Sequence, residues 1–159
     1  MKPLYSRVPV ALLLTVLTLF LTTGCNNPAS SDDQDNHEEH EHAEGAILKM
    51  NGAEIVRIED GVVQSGQIEV TEGEETQLIT IYFLAEDGDE FQPDDPDYSL
   101  RWDQIDASVA EVKQHDEDGK WGFHIHGVSA DTTTVRFQLW HNGEDHSDFD
   151  TPEIDVIVN

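Results

Sequence analysis

Seven of the eight histidines in this 159-residue chain fall into three short clusters. Imidazole is the commonest protein ligand for transition metals, so clustering of this kind predicts metal coordination. The clusters are His37, His40 and His42, then His124 and His126, and then His141 and His146. The eighth histidine, His115, stands alone beside Asp116 and Glu117, and we expect it on the surface.

The first cluster lies in a segment that contains almost no apolar residue. Between positions 26 and 44 the chain is rich in Asn, Ser, Asp, Glu and His, so it cannot offset the entropy cost of ordering and is expected to be a flexible tether. Three imidazoles and three carboxylates lie between His37 and His42, a tract that can wrap loosely around Zn²⁺. The alternative is a solvated linker whose histidines bind nothing.

The second cluster, His124-Ile125-His126, lies in a predicted strand. Residues two apart on a strand share a face, so both imidazoles can approach one ion. The alternative is an exposed polar face that binds no metal. The strand pairing that we expect also puts Arg136 opposite His124, where its positive charge would oppose a bound cation.

In the third cluster, an Asn-Gly pair at positions 142 and 143 predicts a two-residue hairpin turn. That turn would pair His141 with Glu144, and Leu139 with His146. The side chains of His141, Glu144 and His146 would then share one face, with Asp148 two residues further on. Nitrogen and oxygen ligands of this kind suit Zn²⁺, whereas the alternative is a polar turn that binds no ion.

The available ligands favour Zn²⁺ over a softer ion. Beyond residue 24, sulfur ligands are limited to Cys25 and Met50, so a Cu(I) site is not expected, and Zn²⁺ is preferred to Cu²⁺. Calcium is a further alternative, because two acidic turns offer hard oxygen ligands. These turns are Asp87-Gly88-Asp89-Glu90 and Asp94-Asp95-Pro96-Asp97.

Cys25, the only cysteine in the chain, directly follows Gly24 at the end of an apolar run that begins after two basic residues. This arrangement resembles the signal of bacterial lipoproteins. The resemblance implies that residues 1–24 are a signal peptide and that Cys25 carries a lipid, which makes residues 25–44 a lipid-anchored tether. It also implies a cell-envelope location, and Asn26 after the cysteine favours the outer membrane. The alternative is an ordinary secretory leader.

The charge balance excludes nucleic acid as a partner. The chain has 34 acidic and 8 basic residues, for a formal net charge of −26 at pH 7, whereas phosphate binding needs clustered lysine and arginine. Such acidity is typical of cation capture and equally of solubility in a saline environment. A single cysteine cannot form a disulfide bond within the chain, so a hydrophobic core must hold the domain together.

Residues 45–159 are predicted to form one all-β domain. Short runs rich in Val, Ile, Thr and aromatic residues are separated by Asp-Gly, Glu-Gly and Asn-Gly turns, and no long stretch there sustains a helical period. A two-sheet sandwich is therefore expected. The predicted strands are 46–50, 54–58, 67–70, 77–84, 108–113, 120–128, 132–141 and 154–158.

Strands 120–128 and 132–141 are expected to form an antiparallel hairpin. In the register set by a short turn between them, apolar residues face apolar residues along the whole pair. The expected pairs are Ile125 with Val135, Phe123 with Phe137, and Trp121 with Leu139.

Four short motifs between positions 100 and 137 are considered as one set. They are Leu100-Arg101-Trp102, Asp106-Ala107-Ser108-Val109-Ala110-Glu111-Val112, Gly127-Val128-Ser129-Ala130 and Thr133-Thr134-Val135-Arg136-Phe137. This set resembles the bacterial immunoglobulin-like domains of surface proteins. The resemblance implies an immunoglobulin-like β-sandwich without catalytic function, of the kind that serves as a spacer or an adhesion module.

Together these features favour a metal-binding protein of the cell envelope. We expect it to capture or store Zn²⁺, or to deliver the ion to a metal receptor or transporter, and to have no enzymatic activity. The main alternative is a structural or adhesion module in which the histidines are incidental. A more distant alternative follows from Gly122-Phe123-His124-Ile125-His126, which resembles the copper-ligand strand of copper/zinc superoxide dismutases, although the disulfide of that family cannot form here.

Overall fold

The computed structural model describes residues 42–159, and within this range the chain forms twelve β-strands and no α-helix. The strands are β1 (Gly45–Met50), β2 (Ala53–Glu59), β3 (Val62–Gly66), β4 (Ile68–Val70), β5 (Ile79–Leu84), β6 (Glu90–Phe91), β7 (Tyr98–Asp103), β8 (Ala110–Lys113), β9 (Gly122–Gly127), β10 (Thr132–His141), β11 (His146–Asp150) and β12 (Ile154–Val158). The described part of the chain thus contains no helix that could cross a membrane.

The strands form two sheets that enclose one hydrophobic core. The first sheet has the order β3-β2-β1-β5-β9-β8, with β6 beside β5, and the second has the order β11-β10-β12-β4, with β7 beside β10. Apart from the parallel pair of β4 and β12, the pairings between these strands are antiparallel. The expected all-β sandwich is confirmed.

Strand β9 shows how the sequence directs side chains in this fold. Successive residues of a strand point to opposite faces, so an alternating pattern separates a core face from an outer face. Phe123 and Ile125 are fully buried, whereas His124 and His126 are only partly buried. The two imidazoles therefore lie on the outer face of the first sheet, where ions can reach them.

The predicted hairpin between the segments now assigned to β9 and β10 is wrong. Strand β9 pairs with β5 and β8 in the first sheet, and β10 belongs to the second sheet. The rings of Phe123 and Phe137 pack against each other across the sandwich, with centroids 4.4 Å apart and an interplanar angle of 37°. The apolar residues of two strands can be buried in two ways: the strands can be neighbours in one sheet, or they can lie in two sheets that pack against each other. In this fold the two strands lie in different sheets.

The pairing of β10 also removes the expected conflict between Arg136 and His124. Arg136 lies opposite Asp103 of β7, and its guanidinium donates to both carboxylate oxygens at 2.9 and 2.6 Å. This contact holds the pKa of Asp103 below its usual range. Arg136 therefore does not face His124, whose partner on the neighbouring strand β8 is Lys113, a side chain that forms an ion pair with Glu111.

Thr151 joins the two strands that run along β10. Its hydroxyl accepts the buried backbone N–H of Phe137 at 2.9 Å, between the part of β10 that pairs with β12 and the part that pairs with β11. Thr151→Val keeps the shape of the side chain but leaves that N–H without an acceptor, so it is expected to lower the free energy of unfolding by about 1–3 kcal/mol. Urea denaturation measures the loss, and Thr151→Ser, which keeps the hydroxyl, is the matched control. An unfolding midpoint unchanged in Thr151→Val would contradict the assigned role.

Candidate metal sites

Two groups of side chains in residues 42–159 each bring three metal-ligating atoms within 4.8 Å of one another. The first comprises His141, Glu144 and His146 and is called the hairpin site. The second comprises His115, Asp118 and His124 and is called the loop site. The hairpin site consists of ligands that the sequence predicted, whereas the loop site combines one predicted ligand with two that were not predicted.

The hairpin site lies at the connection between β10 and β11. His141 pairs directly with His146 across a four-residue turn, and the register shifts by one residue between Leu139 and Trp140. The predicted two-residue turn, with His141 opposite Glu144 and Leu139 opposite His146, is therefore wrong. The backbone N–H of Asn142 donates to the Asp97 carbonyl at 2.6 Å. Asn142 therefore does not form the expected two-residue turn with Gly143.

The longer turn brings acidic side chains to both nitrogens of one imidazole. Nε2 of His146 lies 2.7 Å from Oδ1 of Asp148, and Nδ1 lies 3.6 Å from Oε2 of Glu144. The hydroxyl of Tyr98 donates to the second oxygen of Asp148 at 2.8 Å, which fixes that carboxylate. Burial, assisted by this hydrogen bond, raises the pKa of Tyr98, so the phenol stays a proton donor at neutral pH.

The remaining ligand of the hairpin site, His141, is oriented by stacking. Its ring lies 4.7 Å from the ring of Tyr98 at an interplanar angle of 20°, and 5.8 Å from the ring of His146. The side chain of His141 is 18% exposed, whereas that of Glu144 is 65% exposed. The hairpin site is thus a surface site with one well-packed ligand and one exposed ligand.

The loop site lies at the connection between β8 and β9, and it is closed by backbone contacts. The N–H of His115 donates to Oδ2 of Asp118 at 2.6 Å, and the N–H of Asp118 donates to the carbonyl of His115 at 3.0 Å. The side-chain amide of Gln114 contacts three backbone carbonyls further along the loop, at 2.9 to 3.2 Å. These hydrogen bonds hold residues 114–122 in one conformation.

Within this loop the side chain of His124 is held at both ring nitrogens. Nδ1 lies 2.7 Å from the carbonyl oxygen of Thr76, and Nε2 lies 3.3 Å from Oδ1 of Asp118. The ring of His115 is 5.2 Å away, and Nε2 of His115 lies 3.3 Å from Oε2 of Glu75. One strand, β9, and two loops, β4–β5 and β8–β9, therefore contribute to a group of two imidazoles and two carboxylates.

The electrostatics of the loop site favour a positive charge inside it. The backbone N–H of His115, followed by His124, lowers the pKa of Asp118, so this carboxylate is ionised at neutral pH. Burial opposes the charged form of His124, but the Thr76 carbonyl and Asp118 outweigh it and raise the pKa of this imidazole. The side chain of Asp118 is 5% exposed, so water screens this charge poorly.

The other predicted ligands belong to neither group. His126 lies opposite Glu111, and its Nδ1 is buried without a hydrogen-bond partner among the described residues. His42 is exposed and stands outside both groups. His37, His40 and the predicted lipidation site Cys25 lie outside the described residues.

His115 and Asp118 were not predicted as metal ligands, although the sequence contains a pattern that places them near His124. Segments 108–113 and 120–128 flank an Asp-Gly turn at positions 118 and 119, and pairing these two strands with each other places His115 near His124. The structure contains this pairing, with Val112 opposite Ile125. The expected pairing of the second segment with residues 132–141 leaves His115 without a neighbour.

The two acidic turns proposed for calcium use carboxylates to stabilise their own backbones. Oδ1 of Asp87 accepts the N–H of Asp89 at 3.0 Å, and Oδ1 of Asp95 accepts the N–H of Asp97 at 2.8 Å. Such contacts are common in acidic turns. Among residues 42–159, neither turn is part of a group of three metal ligands.

Comparison with known proteins adds one structural likeness. No family model matches the sequence, and no curated protein matches it. The fold is similar to that of domains 4 and 5 of the S-layer protein SbsC, with a TM-score of 0.42 and 14% sequence identity. The match covers 71% of this chain and 53% of that chain, so this protein spans about half the length of the solved S-layer fragment.

Proposed function

We propose that this chain is a non-enzymatic lipoprotein of the cell envelope that captures a divalent transition metal, with Zn²⁺ as the expected ion. A lipid on Cys25 would anchor the protein in the outer membrane, and residues 25–44 would form the tether. The captured ion would be stored or passed to a metal receptor or transporter. The net charge of −26 supports this proposal, because an acidic protein concentrates cations around itself.

The observation that carries the proposal is the hairpin site. Two imidazoles and one carboxylate lie within 4.8 Å of one another, a nitrogen and oxygen set that suits Zn²⁺. Asp148, held by Tyr98, lies 2.7 Å from Nε2 of His146 and orients this imidazole. Because Glu144 and His146 are half or more exposed, a second protein could reach the ion and take it over.

Calorimetric titration of Zn²⁺ into the purified full chain tests this proposal. Excess Mg²⁺ in the buffer would occupy the surface carboxylates, so that the remaining heat reports sites containing imidazole. The double substitution His141→Gln and His146→Gln is expected to weaken binding at the hairpin site by at least about 100-fold, because even groups that only orient a ligand contribute about 10–100-fold to metal affinity.

The matched control is Asp145→Asn. Asp145 lies in the same turn with a φ of 56°, a conformation that asparagine adopts readily, and it belongs to neither ligand group. This control is expected to leave the titration unchanged. If the wild-type chain binds no Zn²⁺ under these conditions, metal capture is excluded and the protein is better described as a non-catalytic structural or adhesion module.

A further inference from the structure

In the loop site, both ring nitrogens of His124 have an oxygen close by, the Thr76 carbonyl on one side and the Asp118 carboxylate on the other. The Thr76 carbonyl accepts hydrogen bonds and cannot donate them, so Nδ1 of His124 must carry the ring proton at 2.7 Å. In a neutral imidazole, Nε2 then presents a lone pair. Oδ1 of Asp118 lies 3.3 Å from Nε2, so these two atoms face a common position that a proton or a metal ion can occupy.

The second carboxylate oxygen of Asp118 is held by the backbone of the loop, and this fixes the contact between Asp118 and His124. Oδ2 accepts the backbone N–H of His115 at 2.6 Å, so the carboxylate is fixed and Oδ1 faces the ring of His124. A carbonyl that holds one nitrogen of a histidine while the other faces a ligand position is the usual arrangement around metal-bound imidazoles. Both ligand atoms are therefore oriented by the backbone before any ion arrives.

The distances in the loop site fit a tetrahedral ion. Two ligands that are each about 2.0–2.1 Å from Zn²⁺ and subtend a tetrahedral angle lie about 3.3 Å apart. The separation between Nε2 of His124 and Oδ1 of Asp118 is 3.3 Å, and that between His115 and Glu75 is also 3.3 Å. The ligand atoms of His115, Asp118 and His124 all lie within 4.8 Å of one another, so these three residues can approach one ion.

We propose that the loop site is a second Zn²⁺ site, in which His124, Asp118 and His115 bind the ion. This inference rests on the proposed metal-capture function and extends it by a site of different character. The Asp118 side chain is 5% exposed and that of His124 is 17% exposed, whereas the hairpin ligands Glu144 and His146 are half or more exposed. The loop site would retain an ion that the hairpin site exchanges.

The competing occupant of the contact is a proton, which would convert His124 into an imidazolium paired with Asp118 and make the site purely structural. Asp118→Asn separates the two explanations. Asparagine keeps an oxygen for the N–H of His115, and its side-chain N–H₂ can donate to the lone pair of His124. The fold is therefore expected to survive without any ion, while the charged ligand for Zn²⁺ is lost.

The test is a Zn²⁺ titration of the full chain in excess Mg²⁺, followed by imidazole ¹⁵N chemical shifts. His37, His40 and His42 are replaced by glutamine in every sample, so that the tether contributes no signal. In the parent protein, the resonances of His115, His124, His141 and His146 are expected to shift, with two ions bound. Nδ1 of His124 should remain protonated throughout, since its partner is the Thr76 carbonyl.

In Asp118→Asn, the shifts of His115 and His124 are expected to require at least about 100-fold more Zn²⁺, while those of His141 and His146 are unchanged. Asp116→Asn, which removes the same charge from an exposed position of the same loop, should behave like the parent protein. The thermal unfolding midpoint of Asp118→Asn in a chelator should match that of the parent, which shows that the folded loop is intact.

The outcomes separate this inference from the proposed function. If His115 and His124 do not respond to Zn²⁺ while His141 and His146 do, the loop site is overturned and the hairpin site stands. If only His115 and His124 respond, the loop site is supported and the hairpin site is excluded. Equal behaviour of Asp118→Asn and Asp116→Asn would overturn the assignment of Asp118 as a ligand.

Discussion

The substitution Phe123→Ala is expected to lower the free energy of unfolding by about 3–5 kcal/mol, as is usual when a fully buried aromatic ring is deleted. Phe123 is 0% exposed and packs on Phe137 of the opposite sheet at a centroid distance of 4.4 Å. Removal of the ring leaves a cavity between the two sheets that the surrounding strands cannot fill without shifting. The loss would be measured by urea denaturation of the full chain in the presence of a chelator.

Two controls make this result specific to core packing. Phe123→Leu fills part of the cavity and should lose less stability than Phe123→Ala. Val62→Ala removes apolar atoms from a side chain that is 52% exposed, so its effect should stay within about 0.5 kcal/mol. A loss in Phe123→Ala that is no larger than the loss in Val62→Ala would show that the stacked arrangement of the two sheets is wrong.

The second large effect is expected from Gly122→Ala, which should reduce both stability and Zn²⁺ affinity. A Cβ atom at position 122 would lie well inside contact distance of the Asp118 carbonyl oxygen, which is part of the backbone and cannot turn away. Overpacking of this kind costs about 1–3 kcal/mol. The loop would have to move away from β9, which carries Asp118 away from His124, so affinity at the loop site should fall by about 10–100-fold.

The matched control for this effect is Gly119→Asn in the same loop. Gly119 has a φ of 76°, which asparagine tolerates better than other residues with side chains, and a Cβ atom there meets nothing within 4 Å. Denaturation and the Zn²⁺ titration of both variants provide the comparison. Wild-type affinity at the loop site in a folded Gly122→Ala protein would argue against coordination by Asp118.

Four observed strands were not predicted from the sequence, and three of them, β3, β6 and β11, have weak apolar patterns, whereas β7 buries Tyr98 and Leu100. Strand β3 is largely exposed, β6 has two residues, and β11 alternates between exposed and partly buried residues. Such strands lie at edges or ends of sheets, where they are held by backbone hydrogen bonds to a neighbour rather than by burial of their own side chains. Local sequence carries little information about pairing of this kind.

The hairpin site could be predicted although its register was predicted wrongly. Its three ligands lie within six residues of one another, so any tight turn between β10 and β11 brings them close together. The exact pairing depended on Asp97, which accepts the N–H of Asn142 from a distant part of the chain. Because the three ligands are close together in the sequence, they were predicted correctly even though the register between β10 and β11 was not.

The sequence by itself determined the all-β class, the position of most strands and the outward direction of His124, because alternation of apolar and polar residues states which face of a strand is buried. Only the tertiary structure decided which strands are neighbours, since stacking Phe123 on Phe137 across two sheets buries the same residues as pairing them side by side. The loop site depends on that choice. Its contact with Thr76 joins residues 48 positions apart, and no local pattern encodes a contact of this range.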